Sequence, residues 1–182
     1  MKKTVWTFGL ISGGILGALM LVSLPFADSF YGTRAEVVGY ATMVLAFLLV
    51  FFGVRSYRDN VSGGSIGFGR ALAVGSLIVL VATACYVATW EVIYYGLSPD
   101  IAAKFEKAAI EHARAGGGTQ QEIQKKVADA QKFARLYRNP AFNAAVTFLE
   151  PLPVGLVFAL LSAAVLGRRR RGARAELAAS LG

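Results

Sequence analysis

The sequence predicts an all-α, polytopic membrane protein with four transmembrane helices and an extramembrane helical hairpin between helices 3 and 4. Three observations carry this. The 182 residues are 55% hydrophobic and only 16% charged, whereas a soluble domain usually carries about 25% charged residues. Four apolar runs, 5–27, 37–54, 71–97 and 141–167, are each long enough to cross a bilayer as a helix. Basic residues gather beside the ends of these runs. The spans and their loops use nearly all of the chain, so residues 1–167 read as one membrane domain and 168–182 as a basic tail.

Val5 to Ala27 is uncharged and would be roughly 35 Å long as a helix. Met1-Lys2-Lys3 before it resembles the start of a signal peptide. The apolar stretch is too long for one, however, and Pro25 spoils a small-residue cleavage site, so the run reads as an uncleaved span. The second span, Val37 to Val54, ends at Arg55-Ser56-Tyr57-Arg58. Ala71 to Leu97 follows Gly63-Gly64 and Arg70, and Ala141 to Gly167 runs into Arg168, Arg169, Arg170 and Arg171.

Lys2, Lys3, Arg55, Arg58, Arg70 and the arginine cluster all fall on one side of this threading, which the positive-inside rule makes cytoplasmic, with both termini inside. The long loop on the other side, 98–140, has eight Lys/Arg against five Asp/Glu. That excess does not reverse the orientation, because the inner clusters lie against the membrane. Ser98-Pro99 reads as a cap with proline at the first helical position, and Gly116-Gly117-Gly118 ends that helix. Thr119-Gln120-Gln121-Glu122 is a capping box for a second helix, which stops before Asn139-Pro140. Ile101, Phe105, Ala108 and His112 share one helical face, and Ile123, Val127, Ala130, Ala134 and Tyr137 share another. These faces can close on each other or dock a partner. A faint repeat pairs Phe8-Gly9 with Phe68-Gly69, as in a parallel duplication.

The net charge of +8 is not a nucleic-acid signature, since no recognition motif accompanies it. Five basic residues, Arg168 to Arg171 and Arg174, instead form a surface for anionic lipid head groups. Cys85 and His112 are each the sole residue of their type, so no disulfide within the chain and no zinc-type ligand set is available. Phosphate loops and a Ser-His-Asp pattern are missing, and no nucleophile–base pair is visible, so no enzyme, cofactor or metal is expected.

Three acids lie at or within the spans. Glu36 is at the outer mouth of the second, where an acid is ordinary. Glu91 falls among Tyr86, Trp90, Tyr94 and Tyr95, an aromatic belt, and Tyr95 could share its face. Glu150 lies roughly 15 Å into the fourth span, where a carboxylate costs about 2.5–3.5 kcal/mol on insertion scales. Pro151 and Pro153 remove the amides that would bond the carbonyls of Thr147 and Leu149. The site reads either as a neutral acid holding a kinked helix or as a proton or cation site made of the carboxylate and freed carbonyls. A re-entrant segment is the third reading of the break. Gly9, Gly13 and Gly17 recur every four residues, a stripe for close packing within the chain or between copies.

The stretch from Glu36 to Phe47, the Val54-Arg55-Ser56-Tyr57-Arg58-Asp59 exit, Phe68-Gly69-Arg70, Trp90-Glu91 and the stretch from Asn139 to Pro151 resemble the bacterial family of domain of unknown function 4199. The similarity runs from about Phe8 to Gly167 and leaves out the arginine-rich tail. It implies a small bacterial membrane protein with the same spans and supplies no activity. The family's recurrent acids correspond to Glu36, Glu91 and Glu150. The leading functional expectation is a non-enzymatic structural or accessory component of the inner membrane, acting through its outer hairpin or by homo-oligomerisation. The rival is a small proton- or cation-coupled transporter using Glu150.

Overall fold

Helix formation follows the apolar runs but does not stop where they stop. The structure, a computed structural model, describes residues 1–24, 33–97 and 101–167. The helices are α1 (Lys2–Ser23), α2 (Thr33–Asn60), α3 (Phe68–Val92), α4 (Ile101–Ala115), α5 (Gln120–Tyr137), α6 (Pro140–Leu149) and α7 (Leu152–Leu166), and a π-helical segment, Ile93–Leu97, continues α3. Four stretches are long and apolar enough to cross a membrane: Lys2–Ser23, Val37–Asn60, Phe68–Leu97 and Pro140–Leu166. The first and third begin earlier than their apolar runs, and the second continues through its basic exit to Asn60. Hydropathy marks the part suited to hydrocarbon, whereas backbone bonding carries each helix on into polar sequence. The Arg168–Arg171 cluster, Arg174, the Ser98–Pro99 cap and the Pro25–Ala27 end of the first span lie outside the described residues.

Glycines set how closely the helices approach. A Cβ at Gly9 would come within 2.6 Å of Val81 Cβ, at Gly13 within 2.5 Å of Cys85 Cβ, and at Gly17 within 2.7 Å of Thr89 Oγ1. Positions rise together along both chains, so α1 and α3 run parallel with the whole Gly9-Gly13-Gly17 stripe pressed on α3. The stripe is therefore internal packing, and its face is not free for a second copy. Gly69 has nothing within 4 Å of such a Cβ, so it is not the counterpart of Gly9 that the Phe-Gly repeat implied. On the other side of α3 the order reverses, with Gly75 against Ala159 and Gly155 against Val79. The α7 helix is thus antiparallel to α3. α3 lies centrally, packed on α1, α2, α6 and α7, and Phe47, Val50, Val54, Val74, Ile78 and Val79 fill the core beside it.

The segment between the third and fourth spans forms two helices that pack on each other. Thr119 Oγ1 accepts from the Glu122 amide at 3.3 Å while the Thr119 amide donates to Glu122 Oε2 at 2.8 Å. The second of these bonds holds the Glu122 carboxyl below its usual range. Gly117 and Gly118 turn the chain at φ 66° and 120°, a region that favours glycine. Ile123, Val127, Ala130, Ala134 and Tyr137 are half-buried, as their spacing implies, and Gln131 joins them. On α4 the expected face is kept in part: Ile101 is buried and Ala108 half-buried, but His112 is exposed, and Ala102, Glu106, Ile110 and Ala113 are covered as well. Glu106 accepts from Arg138 Nη2 at 3.0 Å. That ion pair draws the Glu106 side inward, an outcome that apolar periodicity cannot register. A small second core joins these helices to the bundle: Ile93, Tyr94 and Ile101 pack with Met20, Leu24, Trp90 and Tyr137. Lys2, Lys3, Arg55, Arg58 and Arg70 lie on the helix ends at the opposite end of the bundle.

Candidate functional site: the broken fourth span

Asn139 stops α5 and starts α6. Its side-chain oxygen accepts from the amides of Ala141 at 3.0 Å and Phe142 at 3.3 Å, and Pro140 supplies the first helical residue. The helix then runs only to Leu149, and α7 resumes at Leu152. The interruption has the expected cause. The amide of Glu150 still reaches Val146 O at 3.2 Å, but Pro151 and Pro153 have no N–H to continue the ladder. The span is interrupted but runs on in one direction: α7 continues antiparallel to α3, and Pro140–Leu166 is one stretch long enough to cross rather than a re-entrant segment.

One face of this broken helix is inward at a spacing of four. Asn143 is fully buried, Thr147 is 2% exposed, and Pro151, Gly155 and Ala159 follow on the same stripe. The polar members are bonded in a directed chain. Thr147 Oγ1 donates to Asn143 Oδ1 at 3.2 Å, which uses its only hydrogen. Tyr137 must then be the donor in its 3.0 Å contact with Thr147 Oγ1. Trp90 of α3 packs with Tyr137 against the same small core of Ile93, Tyr94 and Ile101. Asn143 Nδ2 closes the loop by donating to the Tyr137 carbonyl at 3.2 Å. Burial pushes the Tyr137 hydroxyl up from its ordinary range, so it stays a neutral donor. Its ring stands edge-on to Tyr94 at 5.6 Å and stacks on Phe133 at 5.5 Å. Hydrogen bonds thereby tie α5 to α6, and ring packing adds the π-helical continuation of α3 at the same level.

Glu150 is placed differently from Thr147. It lies on the outside of the break, and its Oε2 accepts from Tyr86 Oη of α3 at 3.1 Å. The partner expected of an intramembrane acid is thus a tyrosine. Glu91 does not join it. Its Oε1 is buried without a hydrogen-bond partner, two residues before the π-helical segment, and Tyr95 donates instead to the Arg138 carbonyl at 3.2 Å. Glu36 is in the first turn of α2, and its side chain lies outside what the structure describes. The three acids therefore do not form one site on the observed geometry. Among the described residues no three His, Cys, Asp or Glu side chains gather as a metal set. Pro151 is buried and Pro153 exposed, so they act on opposite faces of the span.

Asn143 and Tyr137 carry the network, although nothing in the sequence singled out Asn143. Its signal was present: Asn143, Thr147 and Pro151 are spaced by four, hence one face. The pairing of Tyr86 with Glu150, sixty-four residues apart, had no local signal.

Four helices long and apolar enough to span a membrane, with α3 central among them and a polar brace at a proline break, define a multi-pass helical membrane protein. The chain belongs to the family described as protein of unknown function (DUF4199), whose model matches residues 7–168. No curated protein and no solved structure matches the chain.

Proposed function

We propose that the protein is a non-enzymatic component of the bacterial inner (cytoplasmic) membrane, structural or accessory in role. In this reading both termini are cytoplasmic, and α4 and α5 form an extramembrane hairpin on the outer side. The observation that carries it is the brace at the fourth span. Thr147, Asn143 and Tyr137 bond one another, and Glu150 bonds Tyr86. Polar groups used this way fix a helix and dock a hairpin. They are worth holding in hydrocarbon because an unsatisfied group there costs several kcal/mol. The hairpin's charged outer surface is the part that meets a protein partner or a second copy. The Arg168–Arg171 cluster contacts anionic lipid head groups on the inner side.

Orientation is tested by single cysteines in a Cys85→Ala background. A cysteine at Lys125 in α5 should label from outside intact cells, and one at Ser62 should not. Labelling of Ser62 in preference to Lys125 would invert the topology.

The rival, a proton- or cation-coupled transporter, draws on one observation: Glu150 is bonded to a neutral tyrosine rather than to a base, so it is free to change its protonation. Glu150→Gln separates the two readings. Glutamine keeps the shape and can still accept from Tyr86, but cannot ionise. On the structural reading, thermal stability of the purified variant should track wild type across pH and across sodium or potassium concentration. A cation that stabilises wild type but not the variant, as binding to the folded state requires, would replace the structural reading with the transporter.

A further inference from the structure

A buried, unpartnered hydroxyl of α3 lies level with the proline break of the fourth span. Thr83, in α3, is 0% exposed, and its Oγ1 has no hydrogen-bond partner among the described residues. Ser23, Thr42, Thr89 and Ser162 each donate to a carbonyl three or four residues back in their own helix. Thr83 does not, and neither does Ser12, which is buried on α1 away from the break.

The helix register says what lies opposite. Gly75 packs on Ala159 and Val79 on Gly155, so the next turn of the antiparallel pair sets Thr83 level with Pro151. The Tyr86–Glu150 hydrogen bond places the following turn at the same height. Pro151 is fully buried, and the carbonyl that its missing N–H would have bonded is that of Thr147, on the same inward stripe. No backbone N–H among the described residues reaches that carbonyl. The other freed carbonyl, of Leu149, belongs to the outward face, where Leu149 is 64% exposed. The inward pair is therefore one unused donor and one unused acceptor, both enclosed.

We propose that the break in the fourth span holds a buried water molecule, which accepts from the Thr83 hydroxyl and donates to the Thr147 carbonyl. The two unused groups suit water rather than a divalent ion, since such a cation takes about six or more oxygen ligands whereas a buried water is held by 2–4 polar partners. Such a water completes the backbone bonding that Pro151 removes, which is how a proline persists in the middle of a span. It occupies the inner side of the break, while Glu150 and Tyr86 occupy the outer side.

The test is a double-mutant cycle on the purified full chain in detergent. Thr83→Val keeps the shape and removes the donor, so the melting temperature should fall by about 2–4 °C. Pro151→Ala restores an amide to the Thr147 carbonyl and makes the water dispensable. In that background the loss from Thr83→Val should vanish. An equal loss in both backgrounds, or none in wild type, overturns the proposal. Sodium and potassium chloride are compared with choline chloride as the ion control. A rise in wild type that Thr83→Val abolishes would assign the site to a monovalent cation and also overturn it. Magnetisation transfer from water to the Thr83 side chain in wild type gives an answer without any variant. A cross-peak is expected, and its absence counts against the water.

Discussion

Gly13→Val is expected to force α1 and α3 apart and to lower stability by about 1–3 kcal/mol, the usual cost of overpacking a filled interface. Even a Cβ at this position would come within 2.5 Å of Cys85 Cβ and 3.2 Å of the Ala82 carbonyl. Backbone oxygen cannot rotate away, so the helices must separate, and Gly9 and Gly17 would lose their contacts with α3 together. Gly14, one residue along, has nothing within 4 Å of its notional Cβ. Gly14→Val should therefore leave thermal unfolding in detergent almost unchanged. If both variants melt together, the parallel α1–α3 contact is wrong. Loss of a dimer band with intact monomer stability in Gly13→Val would instead return the stripe to an intermolecular role.

The second large effect is expected at Asn143. Asn143→Ala removes the acceptor of the Thr147 hydroxyl and the donor to the Tyr137 carbonyl, both in the enclosed part of the brace. Each buried group left unsatisfied costs about 1–3 kcal/mol. Because Tyr137 ends α5, the consequence should reach beyond the span. Limited proteolysis should speed up within α4 and α5 as well as the melting temperature falling. Tyr137→Phe should show a weaker version of the same pattern, since it deletes one donor while its ring keeps its place against Tyr94 and Phe133. Proteolysis unchanged in Asn143→Ala would mean that α4 and α5 are held by Ile93, Tyr94 and Ile101 alone.

The two positions differ in how visible they were beforehand. The glycine stripe could be read from its spacing, but spacing is the same whether a small face meets its own chain or a copy. Only the position of Val81, Cys85 and Thr89 opposite it settles the matter. Glu150 drew notice through the energetic cost of its charge, yet the residue that satisfies it, Tyr86, had been absorbed into an aromatic belt. Asn143, neutral and surrounded by apolar sequence, attracted no attention, although it lies one turn from Thr147 on the face that Pro151 defines. On α4, apolar periodicity found the covered Ile101 and Ala108 but also placed the exposed His112 among them, and it missed Glu106, which pairs with Arg138.

The sequence by itself determined the elements: four apolar lengths matched to a bilayer, the capping box at Thr119, the glycine turn and the proline break at Glu150–Pro151. Each is set by bonds or solvation within a few residues, so composition and spacing suffice to find it. The tertiary structure alone decided which faces meet. It made α1 parallel and α7 antiparallel to α3, separated Glu91 from Glu150, and divided the break into an outer acid–tyrosine contact and an inner Thr147–Asn143–Tyr137 chain. Those outcomes depend on which side chains interlock across helices distant in sequence, and hydropathy, which scores each residue's affinity for lipid, carries no record of its partner.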